Sequence, residues 1–217
     1  MAMLNDAVRE QAAQFLQELP HPVRIAMFTQ EIECEFCRET HQLVEEIAGL
    51  SGQISLEVYD FVADKEKADE WGVDKIPAIA IVGADDFGVR FYGIPSGYEF
   101  TSLLYAIRAA STQETDLSEA GHQFLSELSK PVHLQVFVTP TCPYCPQSVV
   151  LAHQLAIASP LVRADMVEAT EFPHLSIKYQ VMGVPRTVIN ETGHVEGAAP
   201  EPMILDKIAE ALAGAEE

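Results

Sequence analysis

The stretch Cys34-Glu35-Phe36-Cys37 returns 108 residues later in the chain as Cys142-Pro143-Tyr144-Cys145. The first copy is followed by Ile76-Pro77 and the second by Val184-Pro185, so the two prolines are also 108 residues apart. In each half the proline stands 40 positions after the second cysteine. One Cys-x-x-Cys motif is common and ambiguous, but two copies with a matching downstream proline indicate a duplicated thiol–disulfide active site.

The hydrophobic pattern around the two motifs repeats as well. An amphipathic helix is predicted at the start of each half, over residues 4–19 and from Leu117 to Leu128. Each motif then lies between a buried strand and a helix, and a short helix precedes each X-Pro. The other predicted elements are the strands Val23–Thr29, Ile54–Asp60, Pro77–Val82, Val132–Thr139, Val162–Glu168 and Pro185–Ile189, one further hairpin strand per half, and helices near 37–49, 98–110, 145–158 and 202–213.

The order helix, strand, helix, strand, helix, strand, strand, helix in each half predicts the fold class. It is an α/β fold of two tandem thioredoxin-like domains, with mixed central sheets flanked by helices. The polar stretch Ser111–Asp116 is the natural boundary, and it divides the chain into residues 1–112 with the first motif and 113–217 with the second. This stretch is too short for a long flexible tether. We therefore expect the two units to pack together, an arrangement that allows a continuous sheet.

The composition limits the possible classes of protein. Hydrophobic residues form 48% of the 217 residues, which is ample for packed cores. The net charge of −20 argues against nucleic acid or an anionic membrane as a partner, because phosphate binding needs clustered Lys and Arg. No apolar run is long enough to span a bilayer, and the N-terminus lacks the basic start of a signal peptide. These features predict a cytoplasmic protein.

All four cysteines of the chain belong to the two motifs, so they are predicted to be catalytic and to pair locally. A cysteine attacks a disulfide only as a thiolate, and the free N–H groups at the start of a helix stabilise that charge. Cys34 and Cys142 are each placed at a predicted helix N-cap. Cys37 and Cys145 then lie within disulfide reach on the first helical turn, where they resolve the mixed disulfide formed with a substrate. Pro143 suits the first helical position, where its missing N–H costs nothing.

Ile76-Pro77 and Val184-Pro185 are predicted to contain cis peptide bonds beside the cysteines. An isolated X-Pro is usually trans, but the repeated spacing favours a shared structural role. A cis proline at this place bends the backbone so that the preceding residue offers its N–H and C=O groups to an extended substrate. We therefore predict that Ile76, Pro77, Val184 and Pro185 bind substrate.

The second half resembles a glutaredoxin, because Cys142-Pro143-Tyr144-Cys145 is the motif of that family and Gly183-Val184-Pro185 stands where its Val-Pro does. The whole duplicated chain resembles the two-domain, glutaredoxin-like protein disulfide oxidoreductases of thermophilic prokaryotes. This resemblance implies cytosolic dithiol–disulfide exchange with protein substrates, including reductase, oxidase and isomerase activities. It also implies no bound cofactor beyond the redox-active disulfides, and electrons from an NADPH-dependent flavoprotein of the thioredoxin-reductase type.

The chain departs from these relatives at two places. No tryptophan precedes either motif as in thioredoxin, since Glu33 and Thr141 stand there. The Gly-Gly-Asp element with which glutaredoxins hold glutathione has no clear match near Gly197-Ala198-Ala199. The resemblance therefore does not extend to the use of glutathione.

Two other functions fit parts of the pattern. Two Cys-x-x-Cys pairs supply four thiolates, enough for a zinc ion or an iron–sulfur cluster. A separation of 108 residues is unlike a compact zinc ribbon, however, and we predict no metal ligands. The chain also resembles the duplicated N-terminal domain of bacterial alkyl hydroperoxide reductase flavoproteins, which suggests an electron-shuttle module of a peroxide-reducing system. The first site of those proteins lacks its cysteines, so the presence of both pairs favours a free-standing exchanger of thiols and disulfides.

Charge distinguishes the two motifs. Four glutamates lie within five residues of Cys34, at positions 31, 33, 35 and 39, against one arginine, Arg38. The neighbours of Cys142 between 139 and 147 carry no charge. Negative charge disfavours a nearby thiolate, so we expect Cys142 to have the more reactive thiolate and the first pair to hold its disulfide more tightly. Elsewhere, His153 is expected to be solvent-facing or hydrogen-bonded, and Trp71 to belong to the core.

Overall fold

The computed structural model describes residues 2–214, and the elements in this range form two repeats of the same order. The first unit contains α1 (Asp6–Phe15), β1 (Val23–Thr29), α2 (Cys37–Ala48), β2 (Ile54–Asp60), α3 (Lys65–Glu70), β3 (Ala78–Val82), β4 (Val89–Tyr92) and α4 (Glu99–Thr112). The second unit contains α5 (Glu119–Glu127), β5 (Val132–Val138), α6 (Cys145–Ala158), β6 (Val162–Glu168), α7 (Pro173–Lys178), β7 (Arg186–Ile189), β8 (Gly193–Glu196) and α8 (Glu201–Ala213).

The predicted elements and the observed ones agree in order and type, and they differ mainly at their ends. Helix α1 ends at Phe15, although the apolar pattern predicts a helix to residue 19. Pro20 contributes to the difference, because its ring clashes with a helical carbonyl at Leu16, four residues earlier, and disfavours helical backbone at Leu19. Leu16 and Leu19 are nevertheless buried, so the apolar face continues into the core without the helix.

All eight strands of residues 2–214 belong to one mixed sheet with the order β2-β1-β3-β4-β6-β5-β7-β8. Within the first unit, β1 pairs with β2 in parallel and with β3 antiparallel, and β3 pairs with β4 antiparallel. The second unit repeats these pairings with β5 to β8. Parallel pairing of β4 with β6, from Val89 opposite Ala164 to Tyr92 opposite Val167, joins the two units. The two thioredoxin-like domains therefore share a continuous sheet.

The strands alternate their side chains between two apolar layers, as the two-residue period of a strand requires. Ile25 and Met27 of β1 face the larger layer, which packs under α2, α4, α5, α6 and α8. Ala26 and Phe28 face the smaller layer, which lies under α3 and α7. The larger layer is continuous across both units, and helices α4 and α6 pack side by side within it. Burial of apolar surface thus holds the two units together.

A polar cluster also spans the joint between β4 and β6. Asp165 of β6 is fully buried, and its carboxylate lies 2.7 Å from Nε2 of His133 and accepts a hydrogen bond of 3.0 Å from Nε of Arg163. Arg163 also donates to the hydroxyl of Tyr92 in the first unit, at 2.6 Å. Burial alone would raise the pKa of Asp165, but His133 and Arg163 hold that pKa well below its usual range. The cluster therefore contains a buried, charged carboxylate.

No helix within residues 2–214 is both long enough and apolar enough to cross a bilayer.

Candidate active site

The first cysteine pair lies between the end of β1 and the start of α2. Cys34 and Cys37 form a disulfide, and their Cα atoms are 5.4 Å apart. Cys37 is the first residue of α2 and is buried, whereas Cys34 is half-buried in the preceding loop. The more accessible sulfur therefore belongs to the first cysteine of the motif.

The second cysteine pair has the same arrangement between β5 and α6. Cys142 and Cys145 form a disulfide with a Cα–Cα distance of 5.5 Å. The N–H of Cys142 donates to the carbonyl of Thr139, which closes a tight turn after the strand. Cys145 begins α6 and is fully buried, while Cys142 keeps 8% of its surface exposed. Local pairing, as predicted from the sequence, is thus observed at both sites.

The helices begin later than the sequence predicted. The N-cap positions belong to Phe36 and Tyr144, so each first cysteine stands two residues before the cap. The carbonyl of Phe36 accepts from the backbone N–H of Thr40 at 2.9 Å, which makes Phe36 the first acceptor of the helix. Pro143 also lies outside the helix; Pro146 occupies an early helical position instead.

Both X-Pro bonds predicted to be cis are cis, at Ile76–Pro77 and Val184–Pro185. The sheet register places them near the cysteines. Ala78 is paired with Phe28 at the end of β1, and Arg186 is paired with Phe137 at the end of β5. Each proline therefore lies at the end of the sheet from which the cysteine loop leaves.

Some of the backbone groups beside these prolines form hydrogen bonds within residues 2–214 and others do not. The carbonyl of Pro77 accepts from the N–H of Gly93 at 2.9 Å, and that of Pro185 accepts from Gly197 at 2.8 Å. Within residues 2–214, no hydrogen bond occupies the amide or carbonyl groups of Ile76 or Val184. Backbone groups without partners are those that an added extended strand can use.

Glu99 is a buried carboxyl group near the second site that the sequence analysis missed. Only 1% of it is exposed; Ser102 donates a hydrogen bond of 2.6 Å to Oε2, and Oε1 is buried with no partner in residues 2–214. Burial raises the pKa of Glu99 to about 7. The adjacent Tyr98 N–H donates to the carbonyl of Pro140, in the loop that leads to Cys142. In sequence, Glu99 looks like an ordinary acid in the first turn of a helix.

Arg38, His153 and Trp71 lie in three different environments. Arg38 is 90% exposed, and its guanidinium lies 3.0 Å from the carboxylate of Glu39. His153 is buried and its Nε2 lies 3.3 Å from the carbonyl of Arg90, so of the two expected states it is the hydrogen-bonded one and not the solvent-facing one. Burial lowers the pKa of His153 to about 4, so the ring is neutral at neutral pH. Trp71 packs at the edge of the smaller apolar layer.

All four sulfur atoms are held in local disulfides, and residues 2–214 contain no group of three or more His, Cys, Asp and Glu side chains arranged to hold a metal ion. The geometry provides two chemically similar sites. At each site, a cysteine pair at the start of a helix lies near the end of the strand that follows the cis proline.

Comparison with known proteins agrees with this geometry. The crystal structure of a protein disulfide oxidoreductase from Aeropyrum pernix K1 superimposes with a TM-score of 0.90 and 32% sequence identity, covering 97% of this chain and 94% of that one. The chain belongs to the protein disulfide oxidoreductase family. Residues 132–210 also match the thioredoxin domain family. The chain is thus an oxidoreductase of the thioredoxin type.

A second group of similar proteins comes from peroxide metabolism. The NTD_N/C domain of alkyl hydroperoxide reductase AhpF from Enterococcus faecalis has a TM-score of 0.86 and 27% identity, covering 96% of this chain and 99% of that one. The corresponding alkyl hydroperoxide reductase protein of Pseudomonas putida is 27% identical over 208 residues, or 95% of this chain. The chain spans only 37% of the length of that relative.

Proposed function

We propose that this protein is a protein thiol–disulfide oxidoreductase, with Cys34, Cys37, Cys142 and Cys145 as its catalytic residues. The observation that carries the proposal is that both Cys-x-x-Cys pairs form disulfides at the start of a helix. A dithiol in this geometry closes to a disulfide without moving the backbone far, because its Cα atoms already have the usual spacing. Reversible closure is the chemistry that dithiol–disulfide exchange needs.

The accessibility of the sulfurs suggests the order of the steps. The thiolate of Cys34 or Cys142 attacks one sulfur of a substrate disulfide, and the other substrate sulfur leaves as a thiolate that takes up a proton. The thiol of Cys37 or Cys145 then loses its proton and attacks the mixed disulfide. The substrate gains two electrons and two protons, and the enzyme pair becomes a disulfide. The second cysteines suit this resolving role because both are buried.

We also propose that Glu99 accepts the proton of Cys145 at the second site. Helix α4, which begins at Glu99, packs beside α6, which begins at Cys145. Thr101 and Pro146, close in sequence to these two residues, line the same surface cavity. A buried carboxyl with a pKa of about 7 is suited to exchanging a proton at neutral pH.

Ile76, Pro77, Val184 and Pro185 are proposed to bind the substrate chain. The free backbone groups of Ile76 and Val184 would pair with an extended segment next to the substrate cysteine. Binding through the backbone would allow many protein substrates, which suits reductase, oxidase and isomerase activities. The two units proposed to carry these sites are residues 1–112 and 113–217.

The electron source and location follow from the same proposal. Electrons would come from an NADPH-dependent flavoprotein of the thioredoxin-reductase type, and the protein would work in the cytoplasm.

The catalytic role of the cysteines is tested by measuring the reduction of insulin disulfides by the wild-type protein with dithiothreitol. Variants carrying Cys34→Ser, Cys142→Ser or both would be compared. Partial activity in each single variant and none in the double variant would support two working sites, and full activity in the double variant would refute them.

A second candidate function is electron transfer to a peroxide-reducing protein. The observation in its favour is the similarity to the AhpF domain over nearly the whole of both chains. The dithiol form of this chain would reduce the disulfide of a peroxide-reducing protein such as a peroxiredoxin, and its own cysteine pair would become a disulfide. Single-turnover oxidation of the reduced protein by a peroxiredoxin disulfide, compared with oxidation by insulin at equal concentration, separates the two candidates. An oxidation rate about two orders of magnitude higher with the peroxiredoxin than with insulin would favour the second candidate function.

A further inference from the structure

Gly93 and Gly197 occupy equivalent turns beside the two sites. Each follows the last strand of its unit, each has a positive φ (84° and 76°), and each donates its N–H to the carbonyl of the cis proline. Their surroundings differ. A Cβ atom on Gly197 would meet open space, whereas one on Gly93 would lie 2.6 Å from Cβ of Glu168 and 2.8 Å from Oε1 of Glu171. The second unit therefore covers the glycine turn of the first site, and nothing in residues 2–214 covers the other.

The covering segment is a hydrogen-bonded turn at the end of β6. Glu168 is buried, and its Oε2 accepts hydrogen bonds from the N–H and hydroxyl of Thr170 and from the N–H of Glu171. Oε1 of Glu171 in turn accepts a hydrogen bond of 2.7 Å from the N–H of Ile94. Its other oxygen, Oε2, is buried with no partner in residues 2–214. One carboxylate of the second unit is thus fixed against the turn that supports Pro77.

Within residues 2–214, the charged groups that act on Glu171 are acidic. Glu168 lies on its own turn, and Glu35 lies between the two cysteines of the first motif; both repel a charge on Glu171. The turn after β4 faces it with a backbone N–H only. Burial, followed by these two repulsions, raises the pKa of Glu171 to about 7, although the bond from Ile94 opposes the change. The charge beside the first motif therefore changes near neutral pH.

We propose that Glu171 of the second unit is a positioning residue of the first redox site: it holds the Gly93–Ile94 turn beside Pro77 and sets the charge that faces the Cys34–Cys37 motif. The proposal rests on the proposed function only in treating this motif as a working thiol pair. When Glu171 is ionised it disfavours the thiolate of Cys34, and when it is neutral that effect disappears. The first site thereby depends on the second unit, whereas no atom of the described residues 2–214, beyond the chain neighbours of Gly197, lies within 4 Å of a Cβ position on Gly197.

The test measures the alkylation rate of Cys34 between pH 5 and pH 9 in the full chain, with Cys142→Ser and Cys145→Ser present so that only the first pair reacts. Glu171→Gln removes the charge and keeps an oxygen that can accept from Ile94. We expect alkylation at pH 7.5 to become about two-fold faster, because removing one carboxylate charge that acts through water lowers the pKa of a nearby thiol by roughly a few tenths of a unit. In wild type, ionisation of Glu171 near pH 7 should produce a step in the plot of the alkylation rate against pH. This step should disappear in Glu171→Gln. Glu171→Asp keeps the charge and should keep that step.

The second site provides the matched control. In a chain with Cys34→Ser and Cys37→Ser, Glu171→Gln should leave the alkylation of Cys142 unchanged. An unchanged Cys34 profile in Glu171→Gln, or an equal change at Cys142, would overturn the proposal, provided that the unfolding midpoint shows a folded protein. If Glu171→Gln does not fold, loss of the step in the folded Glu171→Asp protein would overturn it instead. Because alkylation needs no protein substrate, these results do not depend on whether exchange with proteins is the function.

Discussion

Glu99 shows how the environment of one side chain changes its chemistry. Its pKa in the folded protein is about 7, above the ordinary value of 4.5, because the carboxyl is buried. Between these two values the folded protein keeps a proton that the unfolded chain releases. The contribution to stability is therefore fully present below pH 4.5 and is lost as the pH rises to 7. We expect Glu99→Gln to remove this loss, so that the variant gains on the order of 3 kcal/mol over wild type at pH 8.

Urea unfolding of the oxidised protein from pH 4 to pH 8 measures this difference. Glu119 is a suitable control because it is also an acid in the first turn of a helix, but it is exposed. Glu119→Gln should not gain this stability at pH 8, because an exposed side chain has no burial cost to relieve. Parallel stability curves for wild type and Glu99→Gln would show that burial does not hold a proton on Glu99.

The residues that the sequence predicted and those it missed differ in a simple physical way. The cysteines and the cis prolines were identified because their chemistry depends on residue type and on spacing within one repeat. Glu99 and Glu171 could not be identified in this way. Their properties come from burial against a loop or turn of the other unit, and single glutamates give no sequence signal for such contacts.

At the scale of elements, the apolar runs of the sequence predicted the interior of each strand, whereas the first residue of each helix was harder to predict. The sequence put the N-caps at Cys34 and Cys142, whereas the turns after β1 and β5 delay the caps to Phe36 and Tyr144. The pairing of β4 with β6 was not predicted strand by strand, because edge strands carry no sequence code for their partner in another unit.

The variant Asp165→Ala tests how much the polar cluster at the joint between β4 and β6 contributes to stability. Its fully buried carboxylate compensates the charge of Arg163, so Asp165→Ala leaves Arg163 without its anion. We expect a loss of about 2 to 4 kcal/mol in the free energy of unfolding at pH 7, since removing one partner of a buried pair is strongly destabilising. The contribution is present above the unfolded pKa of an aspartate and is lost as the pH falls, because the pKa of Asp165 is lowered by folding.

An exposed ion pair serves as the comparison for Asp165→Ala. Arg24 and Glu57 lie on β1 and β2, 3.6 Å apart, and both are about 40% exposed. Glu57→Ala should cost less than about 1 kcal/mol. Equal losses in the two variants, measured by urea unfolding at pH 7, would mean that burial adds nothing to the Asp165 cluster.

At the scale of the whole molecule, the shared sheet and the continuous apolar layer predict that both units unfold together. Trp71 is the one tryptophan of the chain and lies in the first unit, so its fluorescence reports on that unit. Leu134 is fully buried in β5 of the second unit, and Leu134→Ala should cost about 2 to 5 kcal/mol. We expect this change to lower the urea midpoint seen by Trp71 fluorescence and by far-ultraviolet circular dichroism equally. A Trp71 midpoint that stays at the wild-type value would show independent units.

In the proposed function, both cysteine pairs exchange disulfides with other proteins, each through its first cysteine. Trapping of mixed disulfides tests this exchange, using a chain in which Cys37→Ser and Cys145→Ser remove both resolving thiols. After incubation with an oxidised protein substrate, peptide mapping by mass spectrometry should find substrate cysteine linked to Cys34 and to Cys142, and dithiothreitol should release it. Absence of substrate from both cysteines, while wild type still reduces that substrate, would refute exchange through Cys34 and Cys142.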